Sequence, residues 1–181
     1  MITTLTLTAA LLLTGAQVDT GTKEVTFRGM TLQIPSSWKL KKSDGGDAIH
    51  VLTGGCPARA MECRGFWLLG PRGIKYASEG GPYELEEPYH PSTGVTECTL
   101  DKHYWSEPQP QKPSVSGVRP MGAGHKATYR QWQIDCHTPK GKPTKVGYPQ
   151  KIWHLPKSKI LVVDEFSTPG LDRIFKNAVW K

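Results

Sequence analysis

The stretch from Lys126 to Phe166 constrains the fold more than any other part of the chain. Its first part, Lys126 to Cys136, alternates along its length and reads as one long strand. A polar loop rich in Gly, Pro and Lys follows, then a second strand, Ile152 to Leu155. Pro156-Lys157-Ser158-Lys159 makes a four-residue turn into Ile160–Phe166, the most apolar strand of the chain. The turn predicts that Ile152–Leu155 pairs with Ile160–Val163. Four consecutive apolar residues, Ile160 to Val163, predict a central strand covered on both faces. In the first strand Thr128, Arg130, Trp132, Ile134 and Cys136 share one face. Ala127, Tyr129, Gln131, Gln133 and Asp135 share the other, which reads as the wetter one. Arg130 and Trp132 lie two apart on one face, so the guanidinium stem is expected to pack on the indole.

The remaining elements read as additions to this antiparallel core. Val25–Phe27 and Met30–Ile34 alternate on either side of Arg28-Gly29, which predicts a hairpin with Val25, Phe27, Met30, Leu32 and Ile34 facing the core. Pro35 ends the pairing, and Trp38 is a packing residue. Lys39, Lys41 and Lys42 mark a solvated strand edge. Ala48–Leu52 and Phe66–Leu69 are further strands, and Thr93–Leu100 brings Cys98 to the sheet. From Pro71 to Pro91 no periodicity survives, and an irregular segment of that length inside a domain is commonly functional. Glu84, Glu86 and Glu87 lie here, with nothing nearby to separate their acidities for acid–base work. Pro108, Pro110 and Pro113 read as a stiff crossover, and Gly122–Gly124 permits a sharp turn into Lys126. Thr168-Pro169 reads as a helix start, with Thr168 as N-cap. Leu171, Ile174, Phe175, Ala178 and Val179 then recur at helical spacing on one face.

Compartment follows from the ends and the cysteines. Leu5–Leu13 is an apolar run too short to span a bilayer, followed by Thr14-Gly15-Ala16, and it reads as a secretion signal over residues 1–16. Residues 17–24 read as a flexible linker and 25–181 as one α+β domain. The four cysteines form an even set that three pairings satisfy. Pairing Cys56 with Cys63 and Cys98 with Cys136 contributes about 2.5 and 4 kcal/mol in the loop-entropy model. A metal site built from Cys98, His103, Cys136 and His137 is disfavoured, because neighbours in a strand point to opposite faces. No metal and no cofactor are expected.

Three features carry a family resemblance: an early hairpin leading to Pro-x-x-Trp (Pro35 to Trp38), Tyr-x-x-Trp (Tyr129 to Trp132) in a long strand, and an Ile-Leu-Val-Val strand running into a terminal helix. In this order the chain resembles the PsbP-like fold, an αβα sandwich, in its small secreted actinobacterial members. The resemblance implies an antiparallel sheet with a C-terminal packing helix. It also implies binding or assembly rather than catalysis, and no catalytic residue comes with it.

The functional expectation is a secreted, non-catalytic module that binds a protein or a cell-envelope component. The candidate surface is Tyr83, Tyr89, Tyr104 and Trp105 in the irregular region, with Lys140, Lys142 and Lys145 in the polar loop. Two alternatives stand beside it. His125 and His154 would serve a secreted hydrolase of nucleic acid or phosphoester if they converged. The net charge of +7, through Lys39, Lys41, Lys42, Lys140, Lys142, Lys145 and Lys151, would serve adhesion to anionic wall polymer or membrane. No run of five basic residues exists, which disfavours nucleic acid as the partner.

Overall fold

The computed structural model describes residues 21–106 and 112–181. Its strands are β1 (Thr22–Phe27), β2 (Met30–Pro35), β3 (Lys39–Ser43), β4 (Ala48–Leu52), β5 (Gly65–Leu69), β6 (Thr96–Cys98), β7 (Asp101–Ser106), β8 (Val115–Pro120), β9 (Lys126–His137), β10 (Pro143–Leu155), β11 (Ile160–Asp164) and β12 (Val179–Trp180). The helices are short, α1 (Pro71–Lys75) and α2 (Leu171–Lys176). The fold is α+β, dominated by a nine-stranded antiparallel sheet in the order β3-β4-β5-β11-β10-β9-β7-β6. β8 also pairs with β9. The region from Lys126 to Phe166 therefore supplies three adjacent central strands, and Ile152–Leu155 pairs with Ile160–Val163 in the expected register.

β9 is long enough to hold two partners along one edge. β8 occupies residues 126–131 and β7 occupies 136–137, while β10 takes the other edge. Gly122, at φ 87°, makes the turn into β9, and a Cβ there would lie 2.1 Å from the Ala178 carbonyl oxygen. Only glycine fits both conditions.

Each face of the sheet carries its own core. One face presents Ile49, Val51, Phe66, Leu68, Tyr129, Trp153, Leu155, Ile160 and Val162. It is covered by the three-stranded sheet β1-β2-β12 and by α2. Val25, Phe27, Met30, Leu32 and Ile34 all face it, as the hairpin pattern requires. Phe175 of α2 meets Trp153 edge to face at 5.1 Å and Phe66 at 5.9 Å. The opposite face presents Trp132, Ile134, Tyr148, Ile152, Leu161 and Val163. Its cover includes Ala77, Tyr83 and Leu85 of the irregular segment and Cys98 of β6. Ile160–Val163 is buried throughout, because each face has a layer over it. Cys56–Cys63 and Cys98–Cys136 are the disulfides.

Several expectations are corrected. The polar loop after Cys136 shrinks to residues 138–142, because β10 already begins at Pro143. β11 pairs only with Lys151–Leu155, so the first half of β10 is an edge, where Pro149 and Gly147 are tolerated. The second face of β9 is not uniformly wet, since Ala127 and Tyr129 are buried against the other core. Among the described residues the cation–π contacts are Arg119 over Tyr129, at 4.6 Å, and Lys75 over Tyr76, at 5.1 Å, and neither involves Arg130 or Trp132. Arg130 instead donates to the Tyr129 carbonyl. The terminal helix is one turn and a half, capped by Gly170 in the left-handed conformation. Thr168 is drawn away from capping by the buried Asp164 carboxylate, to which its N–H donates at 2.9 Å and its hydroxyl at 3.2 Å. Val179 leaves the helix and pairs with Thr31 on the open edge of β2. A strand at Thr22–Glu24 extends the hairpin three residues earlier than the sequence pattern, and residues 1–16 lie outside the described residues.

Candidate functional site

A cavity of about 410 Å³ lies between the second face of the sheet and the irregular segment. Strand parity sets its floor. Leu161, Val163 and Glu165 alternate onto this face, as do Tyr148, Gln150 and Ile152. Leu161, Val163, Tyr148 and Ile152 pack into the core there, while Gln150 and Glu165 line the cavity. The walls come from two loops fastened by disulfides. Glu62 precedes Cys63 in one closed loop, and Thr99 follows Cys98 at the other bridge. The two loops are tied together, since Met61 N–H donates to the Thr99 carbonyl at 3.0 Å and Lys102 N–H to the Arg59 carbonyl at 2.8 Å. An ion pair between Arg59 and Asp101, at 2.6 Å, adds to this seam.

The polar groups form a directed network. The Tyr89 backbone N–H donates to Gln150 Oε1 at 2.7 Å, which fixes the Gln150 amide. Its Nε2 then donates to the Tyr89 carbonyl at 2.9 Å and to Glu165 Oε1 at 2.8 Å. Thr99 Oγ1 donates to Glu165 Oε2 at 2.9 Å. With that hydrogen committed, the Tyr148 hydroxyl donates to Thr99 Oγ1, 3.1 Å away. Glu62 is held separately by the Trp67 indole N–H at 2.8 Å. His50 stacks on Trp67 with ring centroids 4.2 Å apart, and its Nε2 stands 4.0 Å from the Glu62 carboxylate.

Burial pushes the Glu165 carboxyl up to about 7, and the nearby charges of Glu62 and Asp164 add to the rise. The bonds from Gln150 and Thr99 favour the ionised form and oppose it. Burial, then the Glu165 charge, raises the Tyr148 phenol well above its ordinary range. Burial lowers His50, with Glu62 acting in the other direction. The cavity thus holds one carboxyl group that changes charge near neutrality, beside a second carboxylate. Such a group can exchange a proton or neutralise an incoming cation. Among the described residues no cluster of three or more His, Cys, Asp or Glu has the arrangement of a metal site.

Of the residues singled out from the sequence, Tyr89 lines this cavity. Tyr83 is buried with its ring 5.1 Å from His154, and Tyr104 packs on the second core. Trp105 is exposed on β7. Lys140 and Lys142 are exposed in the β9–β10 turn, and Lys145 is exposed near the start of β10. His125 stacks on Trp180 at 4.0 Å in the first-face layer, whereas His154 meets Tyr83 across the other face. The two are not brought together. Glu62, Thr99, Gln150 and Glu165 were not anticipated. Parity carried a signal for two of them, because Glu165 continues the phase of Leu161 and Val163, and Gln150 that of Ile152. Comparison with family models, curated proteins and solved structures finds no match to this chain.

Proposed function

We propose that this chain is an exported, disulfide-fastened binding module whose ligand site is the cavity beneath the irregular segment. The cavity carries the reading. It is of ligand size, floored by the sheet and walled by loops fastened at the two disulfides, and holds a few converging polar groups. The two disulfides support an oxidising compartment, and the Leu5–Leu13 run supports export. Kinship with the PsbP-like fold rests on the order of elements, from early hairpin through long antiparallel strands to a terminal helix. In this reading the ligand belongs to a cell-envelope component or a protein displayed there. A second reading, a secreted hydrolase with Glu165 as general acid, draws on the position of that carboxyl near neutrality.

Native mass spectrometry of the full chain after exposure to envelope extract separates the two. The binding reading expects a retained molecule of unchanged covalent mass. It expects retention to fall in Ser92→Trp, which places bulk from an exposed loop residue at the cavity wall. Recovery of a cleaved product supports hydrolysis instead. Retention that Ser92→Trp leaves untouched argues against the cavity as the site.

A further inference from the structure

The cavity is acidic in a basic protein. The chain carries 23 Lys and Arg against 16 Asp and Glu, yet among the described residues the lysine, arginine and carboxylate side chains lining the cavity are Glu62, Glu97 and Glu165. Among the described residues no Lys or Arg pairs with Glu165. Its hydrogen-bond partners, Gln150 and Thr99, are neutral donors, and each is oriented by a further bond so that it donates toward the carboxylate. These two bonds favour the ionised carboxylate against the burial that opposes it, and no Lys or Arg among the lining residues supplies a counter-charge. Trp67, Tyr89 and Tyr148 stand in the same walls. Aromatic faces favour a cation and also accept an apolar body. Among the described residues no group of three or more His, Cys, Asp or Glu converges to hold a bare metal ion.

We propose that the cavity takes a small organic ammonium ion, its nitrogen held by Glu165 and Glu62 and its apolar body seated against Trp67 and Tyr148. This deepens the binding-module reading and rests on it. The occupant is a free amine or a single amine-bearing group of a larger envelope molecule, since a cavity of about 410 Å³ admits little more.

Three isosteres test the charge requirement directly: benzylammonium, benzyl alcohol and benzoate, titrated calorimetrically into the full oxidised chain at fixed ionic strength above neutral pH. Benzylammonium is expected to bind and the other two to bind at least tenfold more weakly. Glu165→Gln is expected to weaken benzylammonium about ten- to a hundredfold, the loss of a charge-assisted contact. Glu62→Gln, which keeps an acceptor for the Trp67 indole, weakens it in the same direction. Glu24→Gln, on the exposed side of β1, leaves it unchanged. Equal binding of benzyl alcohol, preference for benzoate, undiminished binding in Glu165→Gln, or no binding of any probe each overturns the cation inference. The binding-module reading is judged separately, by retention from envelope extract and its loss in Ser92→Trp.

Discussion

Glu165 makes the stability of the protein depend on pH in a direction opposite to that of most carboxylates. Its carboxyl group moves from 4.5 in a solvated chain to about 7 in the fold. The folded chain therefore keeps a proton that the unfolded chain has released. Stability contributed by this group is complete below about 4.5, falls as pH rises, and levels off once pH passes about 7. The full difference is about 3 kcal/mol, an upper value because the cavity leaves the group partly accessible and partly screened. The groups that face it are Glu62 from the disulfide loop, Asp164 beside it on β11, and Tyr148 of β10 through Thr99. Glu165→Gln mimics the protonated form. Its amide still accepts from Gln150 and meets Thr99, whose hydroxyl reorients to accept. The measurement is the urea midpoint of wild type and variant between pH 4 and pH 9, with the disulfides intact. Taking the difference removes the other titrating groups. The two proteins should be equally stable near pH 4, and the variant should gain up to about 3 kcal/mol above pH 8. For a chain of this size that corresponds to roughly 6 to 12 °C in Tm. Parallel curves across the whole range, or a variant less stable above neutrality, would refute the reasoning.

Two further outcomes test the scaffold. Replacing Cys98 and Cys136 together with Ala should cost about 4 kcal/mol from loop entropy alone, and more if Thr99 is released, read as the urea midpoint under non-reducing conditions. Trp153→Ala should cost about 3 to 5 kcal/mol, because Trp153 is 1% exposed and packs against both Tyr129 and Phe175. A loss below about 1 kcal/mol at that position would mean that the first-face core does not hold the layers together.

The parts of the fold legible in the sequence are those where one pattern acts alone. Ile160–Val163, apolar at every position, announced a strand covered twice. Val25 to Ile34 announced a hairpin with a buried face, and the lysines of β3 announced an edge, which they occupy. Legibility failed where a tertiary partner overruled a local signal. Gly147 and Pro149 read as breakers, yet β9 offers a long edge and β11 leaves that half of β10 uncontested. Val179 fits a helical period, yet the open edge of β2 draws it into β12. The site was harder still. In the sequence pattern Glu165 falls at the end of an apolar strand and Gln150 within a polar loop, and nothing in it marks Glu62 or Thr99. Their convergence is a property of the sheet order and of the seam between two disulfide loops. The aromatic residues at Tyr83 and Tyr104 drew notice instead, and the structure uses them for packing.

The disulfides and the acidic cavity are connected energetically. Each bridge anchors a polar residue of the site: Cys63 adjoins Glu62, and Cys98 adjoins Thr99. Burying Glu165 in its ionised form works against folding by up to about 3 kcal/mol, mostly through desolvation, with the nearby Glu62 charge adding to it. Closing the 38-residue separation between Cys98 and Cys136 contributes about 4 kcal/mol in the other direction. The two terms are of similar size, so the crosslink offsets the cost of ionising Glu165 in the fold. In a reducing compartment that offset is lost, and ionising Glu165 then lowers the stability of the fold with nothing from this crosslink to set against it. A site of this kind is therefore best sustained where the cysteines stay oxidised, which joins the chemistry of the cavity to the export proposed for the chain.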